Sequence, residues 1–493
     1  MRKSGILLHI SSLPSPYGIG TMGKSAREFI DFLEKSNQSV WQILPICPTS
    51  YGDSPYQSFS TYAGNPYFID FDELFKEDLL KKEEYENIKW NETDDFVEYS
   101  LIYENRFKVL KLATERALDK KCDEIETFIE ENSFWLENYA SFMAIKNHFA
   151  GVSWQDWDAA IKLRKEKELD ELNDNLSDDI IFWKTVQFLF FDQWGKLKKY
   201  ANEKNVLIIG DLPIYVALDS ADVWANPELF QLDENLTPTK VAGCPPDAFS
   251  ADGQLWGNPL YNWEQMAKDN YSWWIKRIEF QCKIYDTLRI DHFRGFDAYY
   301  AIPYEDKTAV NGSWKQGPSK DLFVAIENSI GRQSIIAEDL GFLTQSVHEL
   351  LEFTGYPGMK VLQFAFDNMD NQNAYIPHTY NENCIAYIGT HDNTTIKDWF
   401  EDEDVKNDAE NAKQYFALTQ EEGYNWGMMR GLWSCKADLT VVQMQDILNL
   451  DKSARMNTPS TLGGNWGWRM ANDVLTDLLA EKLALKMKLY SRK

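Results

Sequence analysis

Four short stretches of the chain close apolar runs on acidic residues. They are Gly210-Asp211-Leu212-Pro213, Arg289-Ile290-Asp291-His292, Ala337-Glu338-Asp339-Leu340-Gly341 and Gly389-Thr390-His391-Asp392-Asn393. A lone acid in a loop means little. Four that each end a buried run imply one rim lined with carboxylates, whose burial is costly unless cations or hydrogen bonds compensate it. Arg289 and His391 lie in the same stretches and can supply that compensation. Paired carboxylates cleave glycosides. One attacks the anomeric carbon to form a glycosyl-enzyme, and a second, kept protonated by a raised pKa, protonates the leaving oxygen; in the retaining geometry they lie roughly 5–5.5 Å apart. A third acid can hydrogen-bond sugar hydroxyls and stabilise the oxocarbenium-like transition state. The competing use of such a cluster is a cation site, for which carboxylates alone favour Mg²⁺ or Ca²⁺. Arg289 and His391 would weaken one, so no metal is expected.

These residues act together only if the chain brings the four runs side by side. Short β-type runs recur at 5–10, 40–45, 206–213, 287–293, 334–339, 359–366 and 384–392, with a weaker one at 439–442. Their near-continuous apolar character predicts strands buried on both faces, as in a parallel sheet. Helical patterns at 26–36, 182–202, 321–330 and 344–353 alternate with them. Eight strand–helix units make an α/β fold of the (β/α)₈ TIM-barrel type, with functional residues at the carboxyl ends of the strands. A doubly wound open sheet fits the alternation nearly as well, and periodicity does not choose between them. The spacing is uneven. Residues 48–205, between the second and third strands, read as a mostly helical insertion, and its charged stretches 81–99 and 162–179 as solvated helix faces. Residues 215–285, between the third and fourth strands, read as structured loops with short helices, including an active-site loop. No internal repeat or Pro- or Ser-rich linker divides the chain, so 1–493 is expected to be one catalytic unit.

A net charge of −27 repels nucleic acid and anionic membranes, both polyanions, and suits a neutral or cationic small ligand. The 18 Trp, 24 Tyr and 28 Phe fill cores first, but flat rings also stack on sugar faces. Cys47, Cys122, Cys244, Cys282, Cys384 and Cys435 contain no C-x-x-C pair, so they read as reduced thiols of a cytoplasmic protein, not as a zinc site. The apolar run at 5–10 is too short for a signal-peptide core or a membrane span. Gly18-Ile-Gly-Thr-Met-Gly23 matches a dinucleotide-binding pattern in letters only, because residues 11–17 separate it from the preceding run and the tight strand–turn–helix geometry is absent.

Taken in order along the chain, a set of segments resembles glycoside hydrolase family 77, the amylomaltases or disproportionating enzymes of the α-amylase clan. The segments are Ser4-Gly-Ile-Leu-Leu-His9, Ser54-Pro-Tyr-Gln-Ser58, Ala63-Gly-Asn-Pro66, Gly210-Asp-Leu-Pro-Ile-Tyr-Val216, Pro245-Pro-Asp-Ala-Phe249, Gly253-Gln-Leu-Trp-Gly-Asn-Pro259, Arg289-Ile-Asp-His-Phe-Arg-Gly295, Ala337-Glu-Asp-Leu-Gly341 and Gly389-Thr-His-Asp-Asn393. The resemblance runs from about Ser4 to Met470. It implies a (β/α)₈ barrel with Asp291 as nucleophile, Glu338 as general acid/base and Asp392 as transition-state stabiliser. It further implies that Arg289 keeps Asp291 ionised, since an adjacent guanidinium lowers a carboxylate pKa. Sugar contacts are implied for Asp211, Arg289, His391, Trp256, Tyr56, Asp247, Asn258 and Asn465. Ile214-Tyr-Val216 stands where ordinary amylases of the clan carry an Asn-His pair, which favours this family over them.

The implied activity is 4-α-glucanotransfer between α-1,4-glucans or maltooligosaccharides, with glucose or another glucan as acceptor, and without a cofactor. The lid at 51–58 and the aromatic-bearing loop at 245–258 resemble those with which the family keeps water from the glycosyl-enzyme. A retaining α-glucan hydrolase and a non-catalytic glucan-binding protein are the alternatives, and oligomeric state is left open. Ser319, Ile388, Met444, Asn449 and Ser460 depart from the family pattern, which has glycine at the positions of Ser319, Asn449 and Ser460. None of the five is a candidate chemical residue.

Overall fold

A computed structural model describes residues 2–246, 251–341, 343–367 and 373–493. Among them are the strands β1 (Lys3–Leu7), β2 (Val40–Gln42), β3 (Leu207–Leu212), β4 (Lys240–Cys244), β5 (Gln254–Pro259), β6 (Thr287–Ile290), β7 (Ala298–Pro303), β8 (Ser313–Gln316), β9 (Ile335–Ala337), β10 (Gly358–Val361), β11 (Cys384–Tyr387) and β12 (Leu439–Gln443). Eight form one parallel sheet in the order β10-β11-β12-β1-β2-β3-β6-β9. Across the seam between β9 and β10, the Ala337 N–H donates to the Pro357 carbonyl at 3.0 Å, so the sheet curls into a nearly closed barrel. These eight strands are the eight apolar runs of the sequence, and the barrel prevails over the open sheet.

The strands form where they do because both faces are buried. Ile208, Leu288, Ile290, Ala337, Ala386 and Val441 are all inaccessible to solvent. Helices cover the outside. The helix Lys24–Lys35 buries Ala26, Phe29, Ile30 and Leu33, a spacing that puts one stripe against the sheet. Gly210, just before Asp211, has no alternative: a β-carbon there would lie 2.2 Å from the Tyr285 ring. Most of the aromatic wealth is core. Trp41, Trp154, Trp224, Trp274 and Trp433 are among the largest fully buried side chains.

Between β2 and β3 run the long helices Tyr99–Lys120, Cys122–His148 and Ser177–Glu203, the last two packed on each other. The stretch 81–98 departs from the expected helix: it holds a 3₁₀ turn, Lys82–Glu84, and otherwise turns and irregular backbone. Tyr85 and Trp90 anchor it, the Trp90 indole donating to the Tyr85 carbonyl at 3.2 Å and the Tyr85 hydroxyl to Asp72 at 2.9 Å. Anchoring through two buried rings fixes a turn-rich path while the charges stay solvated. The charged face at 162–179 does form a helix, Glu166–Asn175.

The larger surprise is a four-stranded antiparallel sheet, β5-β4-β7-β8. β4 and β5 fall within 215–285, where loops and short helices were expected. They escaped notice because they are short, glycine-bearing (Gly243, Gly257), and completed only by β7 from beyond β6. Three of the positions where the family pattern has glycine lie in the left-handed backbone region that favours glycine: Ser319 at φ 45°, Asn449 at 55° and Ser460 at 62°. Among the described residues, no helix is long and apolar enough to cross a membrane.

Candidate active site

The carboxyl ends of β3, β6 and β9, with the turn after β11, deliver the four acidic stretches to one rim. Arg289, within β6, points across the barrel mouth and is 4% exposed. Its Nη1 lies 2.7 Å from both oxygens of Asp211, which is 2% exposed, and its Nη2 lies 3.1 Å from Asp291 Oδ1. Asp291 continues β6, its N–H donating to the Leu212 carbonyl at 3.0 Å. The next residue, His292, takes a left-handed conformation (φ 47°), and its backbone N–H donates to Glu338 Oε2 at 2.6 Å. Leu340 donates its N–H to Glu338 Oε1 at 2.8 Å. Asp291 and Glu338 thus lie side by side on adjacent strands, β6 and β9, with the Glu338 carboxyl resting on the peptide that follows Asp291.

Tyr56 closes the group from the lid. Its hydroxyl donates to Asp211 Oδ2 at 2.7 Å, and its ring stacks on His391 at 5.2 Å. Trp466 leans on both rings at 5.8 and 5.9 Å. Asp392 follows His391, whose Nε2 is 3.4 Å from Asp392 Oδ1. Trp256 stands edge-on to His292 at 4.8 Å. Gln57 joins the lid to β5, donating to Asn258 Oδ1 at 3.2 Å and to the Trp256 carbonyl at 3.5 Å; these two residues, expected on a loop, lie on that strand.

Electrostatics modify one expectation. Burial pushes the Asp291 carboxyl well above the usual range; Arg289 pulls it down, while Asp211, Glu338 and Asp392 push it further up. Arg289 does not hold Asp291 low, because it is shared with Asp211, to which it makes two closer contacts. Burial also raises Glu338, against the opposing effects of Arg289 and of the Leu340 and His292 N–H groups. Burial opposes the charge on Arg289, but Asp211 and Asp291 outweigh it and keep the guanidinium firmly cationic. His391 is lowered by burial despite Asp392, and His292 falls to about 3 for the same first cause, so both rings are neutral. Burial and then Asp211 raise the Tyr56 phenol, which therefore keeps the proton it donates. Burial thus favours the protonated form of both Asp291 and Glu338, so that the pair can hold a proton and pass it to a leaving group. Among the described residues, no group of three or more His, Cys, Asp or Glu side chains could hold a metal ion.

Six of the residues singled out from sequence therefore meet through direct contacts, Tyr56, Asp211, Arg289, Asp291, His391 and Asp392, and Glu338 joins them through the His292 N–H. Trp256 joins through His292. Asn258 commits both ends of its amide to protein partners, Gln57 and the Val216 carbonyl at 2.9 Å. Asn465 does likewise in its own loop, accepting from Thr458 N–H at 3.0 Å and donating to Thr461. Asp247 lies outside the described residues. Sequence reasoning passed over Gln57, Arg455, Asn457 and Trp466. The strand-end rule applied to the chain beyond β12 would have pointed to the last three.

A family model described as 4-alpha-glucanotransferase matches residues 8–476. The chain is 52% identical to the 4-alpha-glucanotransferase of Clostridium butyricum, over 98% of this chain and all of that one. It is 47% identical to the 4-alpha-glucanotransferase of Streptococcus pneumoniae, over the whole chain and 97% of the relative. Its fold is similar to that of an amylomaltase from Streptococcus agalactiae solved in complex with acarbose, with a TM-score of 0.97, 43% identity and complete coverage of both chains.

Proposed function

The chain belongs to the 4-alpha-glucanotransferase family, glycoside hydrolase family 77, and has that transferase activity; from this premise we propose that it works by retaining double displacement on the rim described above. Asp291 as carboxylate attacks the anomeric carbon of an α-1,4-glucan donor. The bond from that carbon to the 4-oxygen of the departing glucan breaks, and Glu338 gives its proton to that oxygen. In the second half, the 4-hydroxyl of glucose or another glucan loses its proton to Glu338 and attacks the same carbon, releasing Asp291. Two inversions restore the α configuration. Asp392 hydrogen-bonds the sugar as positive charge develops on it, and His391, Asp211 with Arg289, and the rings of Tyr56 and Trp256 bind it. Asp247 belongs with the sugar contacts, Asn258 ties β5 to the lid, and Asn465 shapes its own loop.

The observation that carries this reading is the placement of Glu338 against the His292 N–H, next to Asp291, with a cation on the Asp291 side. Burial raises both carboxyls, so the pair holds protons between them; Asp291, in direct contact with the Arg289 guanidinium, is assigned the attack, and Glu338, on two backbone N–H groups, the proton transfer. We treat residues 1–493 as one catalytic barrel with insertions at 48–205 and 215–285, acting in the cytoplasm on α-1,4-glucans and maltooligosaccharides, without metal, cofactor, nucleic acid or membrane.

Incubation with maltotriose tests the proposal. Longer oligosaccharides and glucose are expected from the unaltered chain. Asp291→Asn should abolish them. Glu338→Gln should be nearly inactive on glucans yet recover rate with α-glucosyl fluoride, whose leaving group needs no proton. Turnover in Asp291→Asn, or no recovery in Glu338→Gln, refutes the assignment.

A further inference from the structure

The third carboxylate is held by a segment 65 residues further along the chain. Asn457 Nδ2 donates to Asp392 Oδ1 at 2.6 Å, and the Asn457 N–H donates to the His391 carbonyl at 3.1 Å. Arg455 completes the grip: Nη2 donates to the Asp392 carbonyl at 2.5 Å and Nε to the Asn457 carbonyl at 2.8 Å. Three hydrogen bonds thus tie 455–457 to His391 and Asp392, and a fourth, from Arg455 to the Asn457 carbonyl, braces the segment itself. The Asp392 side chain is 46% exposed, far more than Asp211 or Arg289. Without a partner its carboxylate would turn freely about its last bond. The nearby His391 ring is neutral and 3.4 Å away, and Arg455 binds backbone carbonyls.

We infer that Asn457 is a positioning residue for Asp392. Its amide engages one carboxylate oxygen and leaves the other turned toward the sugar. The inference rests on the proposed role of Asp392. An amide suits the task because it orients a carboxylate without cancelling its charge. A cation at 2.6 Å would remove the negative potential that an oxocarbenium-like centre needs.

The test compares two substitutions with the unaltered chain, using maltotriose disproportionation across the pH range. Asn457→Ala is expected to lower kcat on the order of 10- to 100-fold, with KM changed less than about threefold, because a misaligned group fails in the transition state more than in the ground state. Asn457→Asp places a second carboxyl against Asp392. At low pH it holds a proton and donates in place of the amide; at high pH two charges repel. Its activity relative to the unaltered chain should therefore fall as pH rises. The charged and titratable groups around this pair are His391 on the same turn, Arg455, Asp291 beyond β6 and Tyr56 of the lid. All are present in both proteins, so the ratio isolates the new carboxyl. A purely structural grip would leave the ratio flat.

Near-normal kcat in Asn457→Ala, or a pH-independent ratio in Asn457→Asp, overturns the inference. If Asn457→Asp does not fold by circular dichroism, Asn457→Ala decides: a loss in kcat supports the inference, and a loss confined to KM sinks it. Asp392→Asn in the same assay separates the two layers. If Asp392→Asn turns over normally, the role of Asp392 fails. If it is inactive while Asn457→Ala is normal, only the positioning role fails.

Discussion

Replacing Asp211 with Asn removes one negative charge from the guanidinium that Asp211 shares with Asp291, while keeping an acceptor for Arg289 and for the Tyr56 hydroxyl. Asp291 must be ionised to attack, so the acidic limb of the kcat/KM profile follows the loss of a proton from the carboxylate cluster. In the unaltered chain, burial first, and then Asp211 among the neighbouring acids, raise the Asp291 carboxyl, so this limb should lie above the ordinary carboxylate range. Two carboxylates on opposite ends of one guanidinium lie roughly 5–6 Å apart, and at an effective dielectric constant near 20 a unit charge at that distance is worth about 3 kcal/mol, or about two pH units. The Asp291 side chain is 29% exposed, and solvent screening reduces the effect. Arg289, no longer neutralised by Asp211, acts in the same direction. The acidic limb should therefore move to lower pH by about one to two units. Initial rates of glucose release from subsaturating maltotriose, measured against pH, give the profile. A limb that stays in place, or moves to higher pH, refutes the claim that Asp211 competes with Asp291 for Arg289.

The lid and the backbone yield further expectations. Gln57→Ala unhooks the lid from Trp256 and Asn258; losing a contact of about 0.5–1.5 kcal/mol should raise hydrolysis relative to transfer about 2- to 10-fold. Separating the products of maltotriose reads this directly, and an unchanged partition would show that Gln57 has no part in excluding water. Ser319, with φ 45° and ψ −130°, sits in strained backbone at the start of the helix Lys320–Ile330. Relief of about 1–3 kcal/mol of strain, less about 0.4–1 for the greater freedom of glycine in the unfolded chain, gives Ser319→Gly a net gain of about 1 kcal/mol. Urea unfolding should show a higher midpoint with an unchanged slope, and a lower midpoint would contradict the strain.

Much of this was legible from sequence, because strand and helix patterns are local. The runs ending at Asp211, Asp291 and Glu338 are short, near-continuous apolar stretches that read as buried strands, and buried parallel strands present their last residues at one rim. The chemical types at those ends narrowed the reaction class further. β4 and β5 were invisible for the complementary reason. Their pairing with β7 is long-range, and Lys240–Cys244 carries no periodicity that distinguishes a strand from a loop.

What the amino-acid order decided by itself is therefore the eight strands and the acidic residues at their ends; their periodicity left barrel and open sheet nearly equal, and the seam between β9 and β10 decided for the barrel. Tertiary structure alone decided how charge is divided among those residues. Arg289 stands two positions from Asp291 and looks in sequence like its dedicated partner. The closed barrel instead brings Asp211 nearer to the same guanidinium, and burial among several acids then raises Asp291. The hold of Asn457 on Asp392 likewise exists only because β12 lies beside β11, bringing the chain that follows it back onto His391 and Asp392. Periodicity encodes which residues reach the rim. The distances between their charged atoms, on which hydrogen bonding and Coulomb interactions depend, arise only when the strands close on one another.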